Sequence, residues 1–170
     1  MHIFLTGEIQ QGKSTIINRL LKATGIAPDG FKTVSGPVSA DGSSNVHMIP
    51  ADGSGTLKEE NIVFRRRGHH GRGGVEVYDN VFDTLGVSLL KSNGRPLLVM
   101  DELGTKEIGA EKFQNAVLTC LDGEIPILGV VQKRKSEFLD QVRRHPSVRM
   151  IEVDVQNREE IFEQLFRRGF

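Results

Sequence analysis

The segment that most constrains this chain is GEIQQGKS, residues 7–14, which lies between an apolar run and an amphipathic one. The preceding residues HIFLT read as a short buried strand. The stretch 14–23 that follows carries apolar residues on one helical stripe: Ile16, Ile17, Leu20 and Leu21. A loop with two glycines, a lysine and a hydroxyl between a strand and a helix predicts a site that binds an anion.

The spacing of this segment is that of a phosphate-binding P-loop, the Walker A pattern G-x-x-x-x-G-K-[ST]. Gly7 and Gly12 allow backbone angles and a close approach that a Cβ would block. Lys13 is expected to reach the β- and γ-phosphates, and Ser14 to hold Mg²⁺. Backbone N–H groups and the start of the helix would bind the phosphates, while the intervening side chains point away. The predicted nucleotide-binding residues here are Gly7, Glu8, Ile9, Gln10, Gln11, Gly12, Lys13, Ser14 and Thr15.

A second apolar run, PLLVM at 96–100, ends in Asp101 and Glu102. Asp101 is the expected Walker B residue and can ligate Mg²⁺ through water. Glu102 can orient and deprotonate an attacking water, and the alternative is a solvated acid at a helix start. In P-loop enzymes whose second motif strand ends in Asp-Glu, another strand usually lies between the two motif strands. We predict that ILGVVQ is this strand and that Gln132, at its end, senses the γ-phosphate.

Further apolar strands at 125–131 and 148–153 alternate with helical patterns at about 80–92, 110–122, 136–144 and 157–167. Fully apolar strands separated by helices indicate a parallel sheet covered on both faces. The fold class is therefore α/β, a P-loop NTPase three-layer sandwich with a mostly parallel sheet. Residues 1–170 are predicted to form a single domain. An irregular insertion at about 36–78 is rich in Gly, Ser and Asp and reads as hairpins or a mobile loop.

Composition excludes several other classes of protein. The 170 residues carry 22 basic and 22 acidic side chains, and this balance argues against a nucleic-acid binder. The single cysteine, Cys120, cannot form an internal disulfide and shares the apolar face of a predicted helix. No run is long enough to span a membrane, and the N-terminus is used at once by the P-loop. We expect a cytoplasmic protein that binds neither nucleic acid nor membrane; any protein partner is left open.

The chain resembles the small nucleoside-triphosphatases first recognised in thermophiles and also known as cancer-related NTPase. The resemblance rests first on the P-loop and on DELG with the following KE and EKFQNAV. It continues through PILGVVQKR and VRMIEVDVQNREE. It covers residues 1–35 and 80–165. The chain departs from the family at three positions. Gln10 stands where members tend to carry glycine, Leu103 where they favour isoleucine, and Lys106 where methionine is usual. The resemblance implies slow Mg²⁺-dependent hydrolysis of ATP, GTP and other NTPs to the diphosphate and phosphate.

Several polar residues admit two interpretations. The stretch 63–74 is either a solvated turn or a mobile loop that brings one arginine over the γ-phosphate; the candidates are Arg65, Arg66, Arg67 and Arg72. Within the same stretch, His69 and His70 have no Cys or carboxylate at metal-ligand spacing, which disfavours zinc. The run Lys133, Arg134 and Lys135 either touches phosphate or lies on the surface. Asn157 and Arg158 follow the last strand, where they would read the base or ribose, or begin a helix.

Two other functions stay open beside hydrolysis. A P-loop kinase would transfer the γ-phosphoryl group to a nucleoside, nucleotide or other small molecule, with the insertion as acceptor site and lid. A nucleotide-gated binding module would hydrolyse NTP only to reset a complex with a partner.

Overall fold

The computed structural model describes residues 1–69 and 72–169, so the predictions that involve His70 lie outside the described residues. Eight strands form one sheet in the order β5-β4-β3-β2-β6-β7-β1-β8. The strands are β1 (His2–Thr6), β2 (Asp29–Val38), β3 (Ser44–Pro50), β4 (Ile62–Arg66), β5 (Val75–Val77), β6 (Leu98–Leu103), β7 (Ile127–Val131) and β8 (Val148–Glu152). The helices are α1 (Lys13–Thr24), α2 (Asp79–Val81), α3 (Val87–Leu89), α4 (Glu111–Leu121), α5 (Glu137–Arg144) and α6 (Arg158–Arg168).

Five neighbouring strands, β2, β6, β7, β1 and β8, are mutually parallel. β7 pairs with β1 on one side and with β6 on the other, so it lies between the two motif strands. This confirms the prediction that ILGVVQ separates the P-loop strand from the Asp-Glu strand. β8 and β2 extend the parallel region on its two sides.

The Gly-, Ser- and Asp-rich insertion forms an antiparallel extension of the same sheet. The first four residues of β2 pair with β6, and the strand continues beyond that contact in antiparallel pairing with β3. β4 and β5 follow as further antiparallel strands. The paired strands of the insertion border one side of the P-loop end of the sheet.

Apolar residues pack on both faces of the sheet, which gives the predicted three layers. On one face, α1 and α6 pack on the sheet through residues that include Ile16, Leu20, Ile161 and Leu165. On the other face, α4, α5 and the helical segment 79–89 pack through Phe82, Phe113, Val117 and Phe138, among others. Cys120 is half-buried against this second cluster, as expected of a thiol on the apolar face of α4.

The largest correction to the predicted strand boundaries is at the second motif. The strand predicted at 96–100 is shifted to Leu98–Leu103, because Pro96 has no N–H to donate and ladder pairing begins at Leu98. Asp101 and Glu102 therefore lie within β6 and do not follow it.

None of the helices in the described part of the chain has both the length and the apolar composition that crossing a bilayer requires.

Candidate active site

The P-loop connects the end of β1 to the start of α1 and contains three residues with positive φ. Gly7 has φ 146° and Gly12 has φ 91°, conformations that glycine adopts without steric cost. Gln10 has φ 63°, which is uncommon for a residue with a side chain. Its side chain is exposed, as expected for a loop that directs its N–H groups inward and its side chains outward.

The polar groups of the loop are available to an anion. Within the described residues, the backbone N–H groups of residues 8–12 donate to no protein acceptor. Lys13 is buried, and its ammonium donates to the carbonyl oxygens of Gly7, at 2.9 Å, and Glu8, at 2.5 Å. The ammonium therefore lies across the mouth of the loop, where a phosphate would compete with the two carbonyls.

Ser14 and Asp101 meet at the start of α1, although they are far apart in sequence. The Ser14 hydroxyl donates to Asp101 Oδ1 at 2.8 Å. Asp101 is 7% exposed, and burial raises the pKa of its carboxyl to about 6 even though the Ser14 hydrogen bond opposes this rise. A buried carboxylate beside a hydroxyl is an arrangement that a divalent cation would stabilise, because the cation favours the ionised acid.

Glu102 and Gln132 come from neighbouring strands β6 and β7 and contact each other. The Gln132 side-chain amide donates to Glu102 Oε1, and both residues line one cavity with Lys13. Arg143 of α5 donates to the backbone oxygen of Gln132 and, at 2.7 Å, to that of Arg134. Arg143 thus fixes the turn that carries Gln132, a support that the sequence did not indicate.

Glu107 is a further carboxyl at this site and received no role from the sequence. It is 4% exposed, lines the same cavity, and accepts a hydrogen bond from the Gly104 N–H at 3.0 Å. Burial raises the pKa of Glu107 to about 7, and the neighbouring charge of Glu102 acts in the same direction. The position of this glutamate shortly after DELG was the only sequence feature that could have drawn attention to it. The sequence could not show that its carboxyl is buried and accepts a hydrogen bond from the Gly104 N–H.

The three basic residues after β7, Lys133, Arg134 and Lys135, lie in different surroundings. Lys133 Nζ lies 3.2 Å from Glu8 Oε1 and 2.6 Å from Glu152 Oε1, so it connects the P-loop to the end of β8. Arg134 lines the cavity, and Lys135 is exposed.

The four candidate arginines separate clearly in the structure. Arg66 lines the cavity that contains Lys13 and Glu102. Arg65 donates to Asn45 Oδ1 at 2.8 Å, and Arg67 pairs with Glu76 at 2.5 Å; both line a separate pocket. Arg72 is exposed. Alternation along β4 explains the division, because successive side chains point to opposite faces.

Asn157 and Arg158 begin α6 beside the loop. The Asn157 amide donates to the Glu152 carbonyl at 3.0 Å and accepts from the Asp154 N–H at 2.9 Å, so it closes its own turn. The Arg158 side chain passes close to Gly12. Arg158 is thus placed beside the P-loop, and base contact by Asn157 stays a prediction that requires its amide to leave this turn.

Comparisons with known proteins identify the family to which the chain belongs. A family model described as NTPase matches residues 2–166. The nucleoside-triphosphatase THEP1 of Aquifex aeolicus is 25% identical over 97% of this chain and 97% of the relative. That of Thermotoga petrophila is 26% identical over 99% and 96%. The cancer-related nucleoside-triphosphatase of Homo sapiens is 28% identical over 92% and 90%.

Two solved structures share the fold. The crystal structure of THEP1 from the hyperthermophile Aquifex aeolicus has a TM-score of 0.72 at 21% identity, covering 99% of this chain and 98% of that one. The solution structure of the human cancer-related nucleoside triphosphatase has a TM-score of 0.62 at 21% identity, covering 98% and 96%. The predicted α/β fold is therefore confirmed. Because the family model spans nearly all of the sequence, the resemblance is also confirmed, and the chain belongs to the NTPase family.

Proposed function

We propose that this chain is a Mg²⁺-dependent nucleoside-triphosphatase that hydrolyses ATP, GTP and other NTPs to the diphosphate and phosphate. The observation that carries the proposal is the meeting of Ser14 and Asp101 at 2.8 Å beside the P-loop, with Glu102 next in the chain. The names of the relatives, nucleoside-triphosphatases with matches along almost the whole chain, support the same activity.

The residues at this point fit Mg²⁺. Hydroxyl and carboxylate oxygens are the hard donors that Mg²⁺ prefers, and here they converge from α1 and β6. Ser14 would hold the ion directly and Asp101 would hold it through water. When bound, Mg²⁺ neutralises charge that develops on the β- and γ-phosphates.

The remaining groups bind the substrate and move one proton. The unpaired N–H groups of the P-loop would hold the phosphates, and the Lys13 ammonium would exchange its two carbonyl acceptors for phosphate oxygens. Glu102, oriented by the Gln132 amide, would accept the proton of the attacking water. Arg158, beside the loop, would contact the nucleotide.

We further infer that the chain acts on free nucleotides in the cytoplasm. The balanced charge of the chain supports an activity that involves neither nucleic acid nor a membrane surface.

Phosphate release from Mg-ATP by the purified chain tests the proposal, with Lys13→Ala as the deciding variant. We expect wild-type turnover to require Mg²⁺, and Lys13→Ala to abolish turnover and weaken triphosphate binding, because its ammonium spans the loop. Lys22→Ala, on the exposed side of the same helix, is the matched control. Hydrolysis at the wild-type rate by a folded Lys13→Ala protein would disprove the P-loop assignment.

A further inference from the structure

The cavity at the P-loop is larger than hydrolysis requires. Its volume is about 720 Å³, and it is lined both by the catalytic candidates Lys13 and Glu102 and by residues of the antiparallel extension. A nucleophilic water needs only about 30 Å³. The cavity instead falls within the roughly 300–1,000 Å³ typical of small-molecule sites, of which the terminal phosphate of a bound NTP would fill a part.

Two cations and an aromatic ring form the wall contributed by the extension. The Arg66 guanidinium lies 5.3 Å from the centroid of the Phe64 ring, and the Lys106 ammonium lies 6.0 Å from it. Both cations are half-buried, and all three residues line the cavity. Val46 and Val75 add apolar surface beside the ring.

Among the described residues, neither cation forms an ion pair with a carboxylate, although Glu107 lies near enough for the charge of Lys106 to oppose the rise in the Glu107 pKa. The ion pairs formed within residues 1–69 and 72–169 include neither Arg66 nor Lys106. Arg66 has only a long hydrogen bond, 3.4 Å, to the Ser35 hydroxyl. By contrast, the neighbouring Arg67 pairs with Glu76. Two half-buried cations that form no ion pair within the described residues, both facing one cavity, are suited to binding an anion.

The position of Arg66 separates this anion from the γ-phosphate. β4 is three strands away from β6, which carries Glu102, through β2 and β3. At about 4.8 Å per strand, the two backbones lie roughly 14 Å apart. A ligand that reaches from Arg66 to Glu102 therefore needs an anionic group, which pairs with Arg66 and Lys106. It also needs a nucleophilic oxygen near Glu102.

We propose that this cavity binds a small hydroxyl-bearing organic anion as a phosphoryl acceptor, an inference that rests on the proposed NTP site. Its phosphate or carboxylate group pairs with Arg66 and Lys106, and its carbon skeleton packs on Phe64. In the transfer step the acceptor oxygen forms a bond to the γ-phosphorus, and the bond from that phosphorus to the β–γ bridging oxygen breaks. The hydroxyl proton passes to Glu102, and the nucleoside diphosphate leaves. Hydrolysis is the same step with water as the nucleophile.

The test measures binding and transfer separately, with glycerol 3-phosphate and glycerate as probes and glycerol as the neutral control. With a non-hydrolysable ATP analogue filling the P-loop, we expect saturable binding of at least one anionic probe and none of glycerol. Arg66→Ala and Lys106→Gln should each weaken this binding about tenfold or more, since each removes one charged contact. Arg65→Ala, the neighbouring arginine on the opposite face, should leave it unchanged. Which probe binds distinguishes a phosphate from a carboxylate ligand.

With γ-labelled ATP, the bound probe should yield a labelled phosphate ester that accumulates at the expense of free phosphate. Three results would each overturn the acceptor site. The first is that no probe binds, the second that the variants of Arg66 and Lys106 bind the probe as well as the wild type, and the third that a bound probe yields no labelled ester. Phosphate release from ATP alone, measured on the same preparation, reports on the proposed hydrolysis. A protein that hydrolyses ATP but binds no probe keeps the proposed function and loses only this inference.

Discussion

At the scale of single residues, Glu102 lies where a side chain can act on the nucleophile. It follows the buried Asp101 in β6, lines the cavity with Lys13, and receives a hydrogen bond from Gln132 of the adjacent strand. Gln132 is in turn held by Arg143 through its backbone. This chain of contacts orients the carboxylate that we propose as the proton acceptor.

Glu102→Gln should separate binding from chemistry. The amide keeps the size of the carboxylate and can still accept from Gln132, but it cannot take a proton. Loss of a general base typically costs 10²–10⁴-fold in rate, or roughly 3–5 kcal/mol of transition-state stabilisation. We expect Mg-ATP affinity near that of the wild type and single-turnover phosphate release slowed by about this factor. Release at the wild-type rate would show that Glu102 is not the base.

At the scale of elements, the P-loop keeps a glycine-like conformation at a position where this chain has glutamine. Gln10 has φ 63°, and a left-handed conformation costs a residue with a side chain roughly 1–2 kcal/mol. The loop is constrained on both sides, by β1 before it and α1 after it, and this geometry is retained despite the cost.

Gln10→Gly should relieve this strain. The gain is partly offset by the greater freedom of glycine in the unfolded chain, about 0.5–1 kcal/mol. We expect the free energy of unfolding to stay equal or rise by up to about 1.5 kcal/mol, with Mg-ATP affinity maintained or improved. Gln11→Gly is the matched control: its backbone does not have positive φ, so only the destabilising effect should remain. Equal losses in the two variants in urea unfolding would show that Gln10 is not strained.

The motifs and the parallel strands could be predicted from the sequence because both are local or nearly local signals. The glycine and lysine spacing identifies the P-loop, and continuous apolar runs such as ILGVV identify buried strands. The insertion joins the sheet through the pairing of β2 with β3. The sequence does not predict this pairing, because short polar strands specify their partner and register only weakly. The burial of Glu107 follows from that tertiary arrangement. The sequence named Arg66 as one of four candidate arginines, but only the tertiary arrangement singles it out by placing it on the same cavity as Glu102.

At the scale of the whole molecule, the buried Glu107 makes stability depend on pH. The pKa of Glu107 is about 7 in the folded chain against an ordinary 4.5. Between these values the folded state holds more protons than the unfolded state, so stability falls as pH rises through this window and levels off above about 7. At 1.36 kcal/mol per pKa unit, the cost of ionising Glu107 above pH 7 is at most about 3 kcal/mol.

Glu107→Gln should remove this dependence, because glutamine cannot ionise and still accepts from the Gly104 N–H. Relative to the wild type, the variant should gain up to about 3 kcal/mol of stability as pH rises from about 4.5 to about 7.5. Urea unfolding across this range measures the difference. Glu111→Gln, at the exposed start of α4, is the matched control. A constant difference between Glu107→Gln and wild type at all pH values would contradict a buried, protonated Glu107.

The position of β7 between the two motif strands has a consequence for the newly synthesised chain. β1 pairs with β7 and β8, with Ile3 opposite Leu128, so during synthesis β1 waits for partners that lie far downstream in the chain. Until those partners emerge, the P-loop has no β-sheet to hold it, while β2 to β5 can already pair among themselves. A truncated or stalled chain therefore cannot form the nucleotide site. Nucleotide binding becomes possible only once β7 and β8 have been synthesised, since long-range pairings of this kind form late.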